Sequence, residues 1–170
     1  AVAYSKEFSN SIYGGVLVRV ASESISNVRA TGFSFDAGIH YVTGPTDNVH
    51  FGIALKNVGP AMRFSGDGMA VQGLLTQGSD QLTIEQRSDR FELPSQMNIG
   101  AAYDWNINEM NRLTVAGNFS SNSFTKDQFT LGLEYGFRKL VYLRGGYTYE
   151  KDITDDKLRQ TAFTGPSAGL

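Results

Sequence analysis

The sequence has no cysteine among its 170 residues, which excludes a disulfide framework and a thiolate metal site. It also lacks any run close to the roughly 18 consecutive apolar residues of a membrane-spanning helix. A formal net charge of -2 gives no electrostatic reason to expect nucleic-acid binding. No Gly-x-Ser-x-Gly motif occurs, and only two histidines are present. The sequence therefore predicts a non-enzymatic protein with no catalytic residue, cofactor or resident metal.

A two-residue rhythm is what the sequence does contain. Apolar residues alternate with polar or small residues over 33–41, 97–105 and 129–137. Side chains of a strand point to opposite faces in turn, so each run has one apolar and one polar face. The runs have about the 9–11 residues that a tilted strand needs to cross a bilayer. The pattern favours an all-β, antiparallel, up-and-down transmembrane barrel with lipid on its apolar face and a wet lumen.

The predicted strands are separated by connections of alternating length. Transmembrane barrels have short periplasmic turns and longer outer loops, so we expect residues 58–94 to form a long extracellular loop. Residues 21–31 are expected to form another outer loop, whereas 43–48, 106–111 and 138–139 are short. The strands are predicted at 1–8, 12–20, 32–42, 49–57, 95–105, 112–121, 128–137 and 140–150, with a last one from near Arg159.

These eight or nine strands are expected to form one domain, 1–170, that is the C-terminal part of a larger barrel of about 14 strands. The first predicted strand starts at the outer surface, whereas such barrels keep both termini in the periplasm. No basic, apolar signal segment begins the sequence. Export is therefore inferred from the barrel, and we expect the signal to have been removed or to lie outside this stretch.

Charged residues are expected to lie on the polar face wherever they fall within a strand, because Lys or Arg facing lipid at mid-depth costs about 2–4 kcal/mol. Their expected role is to pair with one another along the lumen wall. The charged residues assigned to the lumen are Arg19, Asp36, Lys56, Asp104, Arg112, Glu134 and Arg144. The lipid side is assigned Val16, Val18, Ile39, Tyr41, Phe51, Ile53, Leu55, Ile99, Tyr103, Leu113, Val115, Leu131, Leu133, Val141 and Leu143.

Several segments resemble the PorV (LptO) family, outer-membrane barrels of the type IX secretion system of the Bacteroidetes that are related to the FadL transporters. The loop sequence from Lys56 to Gly68 is the most specific of them. The resemblance covers essentially the whole chain and corresponds to the C-terminal half to two-thirds of a family member. The segments that carry it are 4–8, 12–23, 51–60, 62–68, 91–95, 144–147 and 161–166.

The resemblance implies a non-enzymatic role at the cell outer membrane. Members of this family bind the C-terminal signal domain of secreted cargo and associate with SprA, the very large translocon barrel. They then carry cargo to the proteins of an attachment complex. The resemblance thus implies three kinds of protein partner, in addition to outer-membrane lipid.

The long loop is the predicted partner-binding site, because loops of this length are usually functional or disordered. Methionine and phenylalanine on a glycine-rich loop suit an adaptable protein-binding surface. Residues 81–85 alternate like a strand that could extend the wall or offer an edge to cargo. The alternative is that the loop folds inward and plugs the barrel. The candidate contact residues are Met62, Arg63, Phe64, Met69, Leu74 and Leu75.

Two other features carry weaker signals. His40 and His50 are expected to lie close together in a hairpin, but two histidines without a third ligand are weak evidence for a metal. Asp67 between two glycines lacks the oxygen ligands of a calcium site and indicates a turn. A FadL-type channel for hydrophobic small molecules is the main alternative function, and a soluble β-sandwich adhesin is a third.

Overall fold

The computed structural model describes residues 1–74, 81–151 and 165–170, and its regular elements there are strands and one short 3-10 helix. The 3-10 helix spans Asp67–Met69. The strands are β1 (Val2–Ser9), β2 (Ile12–Ile25), β3 (Val28–Thr43), β4 (Val49–Val58), β5 (Ala70–Leu74), β6 (Gln81–Glu85), β7 (Gln96–Asn108), β8 (Asn111–Asn122), β9 (Gln128–Phe137), β10 (Val141–Glu150) and β11 (Gly165–Gly169).

Nine of these strands form one antiparallel up-and-down sheet in the order β1-β2-β3-β4-β7-β8-β9-β10-β11. Each strand pairs with the next along the chain, except that β5 and β6 form a separate hairpin between β4 and β7. The predicted all-β, antiparallel class is therefore confirmed. The predicted last strand is observed only as β11, because Arg159 lies outside the described residues.

The sheet has two ends that differ in their connections. Short turns join β1 to β2, β3 to β4, β7 to β8 and β9 to β10 at what we call the turn end. Residues 59–95, which connect β4 to β7 at the other end, are here called the excursion. That end of the sheet is called the excursion end. Most strand boundaries agree with the prediction to within a few residues, and β9 agrees at both ends.

The predicted outer loop at 21–31 is wrong. The structure extends β2 to Ile25 and β3 back to Val28, and the two strands are paired to the tip. The sequence of this hairpin consists mostly of polar and small residues, such as Ser22, Ser24, Arg29 and Thr31. Because no apolar alternation marks these residues, the sequence did not predict this hairpin.

Backbone conformation explains the tight turn between β9 and β10. Arg138 and Lys139 have φ of 52° and 57°, and the Leu140 amide donates to the Phe137 carbonyl at 3.0 Å. Two central residues with positive φ define the turn type that suits the right-handed twist of a hairpin. Neither residue is of the kind that adopts this conformation readily.

The two faces of the sheet differ sharply in exposure. Ala30 and Met62 are the only buried hydrophobic residues in the described part of the chain. Large apolar side chains instead cover one face and stay exposed, as Ile39, Ile53 and Leu131 do at 59%, 52% and 67%. Pairs such as Ile39–Ile53 and Ile53–Ile99 place them side by side. This face has no second layer over it within the described residues.

Aromatic contacts occur on the apolar face near both ends of the strands. At the turn end, Tyr103 and Trp105 have ring centroids 5.0 Å apart, and Tyr41 lies on Phe51. Toward the excursion end, Phe119 contacts Phe129 at 4.7 Å. Aliphatic side chains such as Ile53 occupy the middle of the face, so aromatic contacts lie on both sides of an apolar belt.

Among residues 1–74, 81–151 and 165–170, no helix is long and apolar enough to cross a membrane.

We predict that Lys139→Gly stabilises the protein by about 1 kcal/mol, because glycine removes the left-handed backbone strain at this turn. Met110→Gly is the control, since the matching turn position between β7 and β8 has no positive φ. Urea unfolding followed by the fluorescence of Trp105, the single tryptophan, measures both. Equal effects of the two substitutions would contradict the turn geometry.

Candidate functional site

The polar face of the sheet carries a groove of about 760 Å³ across β1, β2, β3, β4, β7 and β8. Its floor consists of residues with little or no side chain, and its sides carry hydrogen-bonding groups. The floor includes Gly15, Gly38, Gly52, Ala54, Gly100 and Ala102, and the sides include Ser5, Tyr13, His40, His50, Asn98 and Asn118.

A row of polar contacts crosses this face on the turn-end side of the groove. The rings of His40 and His50 stack with centroids 5.5 Å apart, and Nε2 of His50 lies 3.6 Å from Oδ2 of Asp104. Thr114 donates its hydroxyl to Oδ1 of Asp104 at 2.6 Å. The predicted proximity of the two histidines is therefore confirmed.

Ion pairs continue the row into β8, β9 and β10. Nη1 of Arg112 lies 3.8 Å from Oδ2 of Asp104, and Nη2 donates to Oε1 of Glu134 at 3.1 Å. Nε of Arg144 donates to Oε2 of the same Glu134 at 2.6 Å. One carboxylate thus joins two arginines from different strands. The predicted mutual pairing of polar-face charges is confirmed here.

The prediction that every charged residue within a strand lies on the polar face fails at Lys6. Lys6 pairs with Gly14, which in turn pairs with Ile39 on the apolar face. Its ammonium lies 5.9 Å from the centroid of the Phe8 ring. Lys6 is close to the turn end of β1, where a long side chain can keep its charge beyond the apolar belt.

In the described part of the chain, no three His, Asp or Glu side chains are grouped closely enough to hold a metal ion. Asp67, the other residue weighed as a cation ligand, begins the 3-10 helix and is exposed. Neither the His40–His50 pair nor Asp67 therefore has, within the described residues, the set of ligands that a bound cation requires.

In its described residues, 59–74 and 81–95, the excursion consists of two arms that pair with each other. Met62 and Phe91 exchange two backbone hydrogen bonds of 2.7 and 2.8 Å. Further out, the Ser88 hydroxyl accepts from the Phe64 amide and donates to the Phe64 carbonyl. The hairpin of β5 and β6 completes it. The predicted strand at 81–85 is confirmed as β6. The two arms of the excursion thus pair at Met62–Phe91, at Phe64–Ser88 and through β5 and β6.

A polar bracket fixes both ends of the excursion to the sheet. Asp36 accepts from the Asn57 amide at 2.7 Å and from Nη2 of Arg19 at 3.1 Å. Asn57 accepts from Arg19 at 3.1 Å and donates to the Pro94 carbonyl at 3.0 Å. Asn57 has φ of 56° at a bulge between β3 and β4, a conformation that asparagine tolerates. Arg19 and Asp36 lie on the polar face as predicted, but the bracket was not predicted from the sequence.

The six residues predicted to contact a partner differ in accessibility. Met62 is only 3% exposed, so it packs within the chain. Arg63 is exposed, and Phe64 and Met69 are half-buried. Phe64 stacks on Phe91 with ring centroids 5.3 Å apart. Leu75 lies outside the described residues, as does the side chain of Leu74, whose backbone belongs to β5.

The packing of Met62 was missed from the sequence. Its thioether lies over Gly32 on the polar face of β3, in the space that a Cβ on Gly32 would occupy. The neighbouring residues on that face, Ala30 and Ser34, are fully buried. Small residues at three successive same-face positions are a signal of close approach by another segment, and this signal could have predicted the contact.

Comparison of the chain with protein-family models, with curated proteins and with solved structures gave no match.

We predict that Asp36→Ala lowers the free energy of unfolding by about 1–3 kcal/mol, because it leaves the Asn57 amide and Arg19 without their acceptor. It should also speed tryptic cleavage after the exposed Arg87 and Arg90, since the excursion loses its anchor. Glu109, exposed in the turn between β7 and β8, provides the control variant, Glu109→Ala. Unchanged cleavage in Asp36→Ala would contradict the bracket.

Proposed function

We propose that this chain is part of an outer-membrane β-barrel that acts, without enzymatic activity, as a protein-binding component of a secretion machine. The observation that carries the membrane part is the nine-stranded sheet with one exposed apolar face and one hydrogen-bonded polar face. A folded sheet normally buries its apolar face against another layer. Lipid supplies that cover for a barrel wall.

Exposed apolar area of this extent favours a membrane over a soluble fold. Soluble monomers rarely expose contiguous apolar patches larger than a few hundred Å². A soluble β-sandwich would cover this face with a second sheet, but the consecutive order of the nine strands leaves them in one layer. The sandwich alternative is therefore disfavoured.

Small residues on the polar face support curvature toward that face. Gly15 pairs with Gly38, Gly52 with Gly100, and Gly132 with Gly146. A strip of glycine and alanine lets a sheet curl without crowding side chains on its inner side. Closure of the sheet into a barrel of about 14 strands is part of this proposal.

The secretion part of the proposal is supported by the resemblance of segments 51–60 and 62–68 to PorV and by the paired arms of the excursion that follows β4. The bracket and the Met62–Phe91 pairing hold the two arms of the excursion together below the hairpin of β5 and β6, here called the distal hairpin. An arm that ends in a hairpin offers strand edges for β-augmentation by a β-rich cargo domain. The expected partners are a SprA-like translocon, cargo with a C-terminal signal domain and attachment proteins.

The groove favours a second candidate, a FadL-type channel for hydrophobic small molecules. Its floor of glycine and alanine presents mostly carbon atoms to a passing ligand. The ion-paired row beside it, with Asp104, Arg112 and Glu134, is less suited to such a ligand. We therefore place the channel second.

Adjacent residues of β4 provide a matched test of membrane insertion. Ile53→Lys puts a charge in the apolar belt, whereas Ala54→Lys puts the same charge on the polar face. We predict that only Ile53→Lys impairs insertion, by about 2–4 kcal/mol if the site lies at mid-depth. The heat-modifiable folded fraction in isolated outer membranes measures this. An equal response of the two variants would count against lipid on the apolar face.

Removal of the distal hairpin tests the protein-binding role. The Gln86 amide donates to the Met69 carbonyl at 2.8 Å, so a two-residue Asn-Gly link can replace residues 70–85 without separating the two arms. We predict normal insertion but loss of the translocon and cargo from detergent pull-downs of the full-length protein. Glu109→Ala, in the turn between β7 and β8 at the opposite end of the sheet, is the control.

Retention of both partners by the shortened protein would contradict a binding role for the hairpin. Absence of the translocon and cargo from pull-downs of the unshortened protein, with fatty acids or other lipophiles retained, would favour the channel instead.

A further inference from the structure

The part of the excursion nearest the sheet, residues 59–69, takes the place of β4 beside the outer part of β3. β4 leaves β3 after the Phe35–Val58 pair. Beyond that pair, Arg29 and Ser65 exchange backbone hydrogen bonds of 2.8 and 3.0 Å. Residues 59–69, here called the strap, therefore satisfy backbone groups of β3 that would otherwise be unpaired.

The strap lies over one face of β3 only. Ala30 and Ser34, on the polar face, are fully buried, whereas Phe33 and Phe35 on the apolar face remain 46% and 47% exposed. Met62 reaches from the strap onto the polar face at Gly32. The strap thus leans toward the interior side of the proposed barrel and away from the proposed lipid.

Close backbone approach makes the strap a fitted part of the wall. A Cβ on Gly59 would lie 2.2 Å from the Phe33 carbonyl oxygen, and one on Gly66 would lie 2.3 Å from the Asn27 carbonyl oxygen. Gly66 also has φ of 140°, which favours glycine. Only glycine fits at these two positions while the strap stays seated.

We propose that the strap is a fixed internal constriction at the excursion end of the barrel, held in place by the packing of Met62 on Gly32. Partner binding then falls to the distal hairpin, while the strap restricts passage of solutes along the polar face. This inference rests on the proposed barrel, because only a closed barrel has an interior to constrict. The seating of Met62 on Gly32 can be tested without it.

The cysteine-free sequence allows a direct cross-linking test of the full-length protein. Cβ of Met62 lies 3.8 Å from the position of a Cβ on Gly32, which is close to the usual Cβ separation of a disulfide. We predict that Gly32→Cys with Met62→Cys forms a disulfide in native membranes. Protection of both thiols from a maleimide-polyethylene glycol tag until a reductant is added measures it.

Arg63 supplies the control pair. It follows Met62 in an extended segment and is exposed, so Gly32→Cys with Arg63→Cys should remain reduced and take up the tag. Full tagging of the Gly32–Met62 pair without a reductant would overturn the seated strap, and so would equal protection of the two pairs.

Conductance of the full-length protein in planar bilayers tests the constriction. Gly32→Val places a side chain in the space that Met62 occupies and should displace Met62. Met62→Ser removes the thioether side chain without changing β3. We expect either variant to raise unit conductance by about twofold or more, because the narrowest part of a pore limits its flow. Leu131→Ala, on the apolar face, should leave it unchanged.

Unchanged conductance in both variants would overturn the constriction. If neither the unsubstituted protein nor the variants insert, the barrel proposal fails and the constriction fails with it. In that case the disulfide between Gly32→Cys and Met62→Cys is tested in detergent. Its formation there would show that the strap is seated although the barrel proposal has failed.

Discussion

The constraint on which the structure depends is that hydrogen-bonded strands present alternate side chains to opposite faces. A single register places Ile39, Ile53 and Ile99 side by side on one face and His40, Gly52 and Gly100 on the other. A slip by one residue between neighbouring strands would exchange those faces. The apolar belt, the ion-paired row and the groove are therefore consequences of one pairing pattern.

Period-two alternation is visible in the sequence, and so the central strands and their faces could be predicted from it. β9 was predicted at both ends because Phe129, Leu131 and Leu133 alternate with polar or glycine residues throughout. The outer parts of β2 and β3 could not be predicted, because their sequence lacks apolar alternation: one face carries polar residues such as Arg29 and Thr31, and the strap covers small residues on the other face of β3. Lys6 was misplaced for a related reason, because a flexible side chain near a strand end can leave the apolar face.

Contacts between distant segments were the part that the sequence did not reveal. The seating of Met62 on Gly32 depends on where the excursion returns to β3, and no local pattern encodes that position. The bracket likewise joins Arg19, Asp36 and Asn57 from three strands to Pro94. Methionine in a glycine-rich segment was interpreted as a partner surface, but the same residue type also fills irregular gaps within a chain.

The strap and the distal hairpin divide the excursion into parts with different physical roles. Hydrogen bonds and close packing to β3 hold the strap, and these contacts leave Met62 unavailable to another protein. The hairpin of β5 and β6 makes its pairing within itself and is carried by the strap. A rigid base lowers the entropy that a binding arm would lose on meeting its partner. Packing at the base therefore favours, and does not oppose, a binding role for the tip.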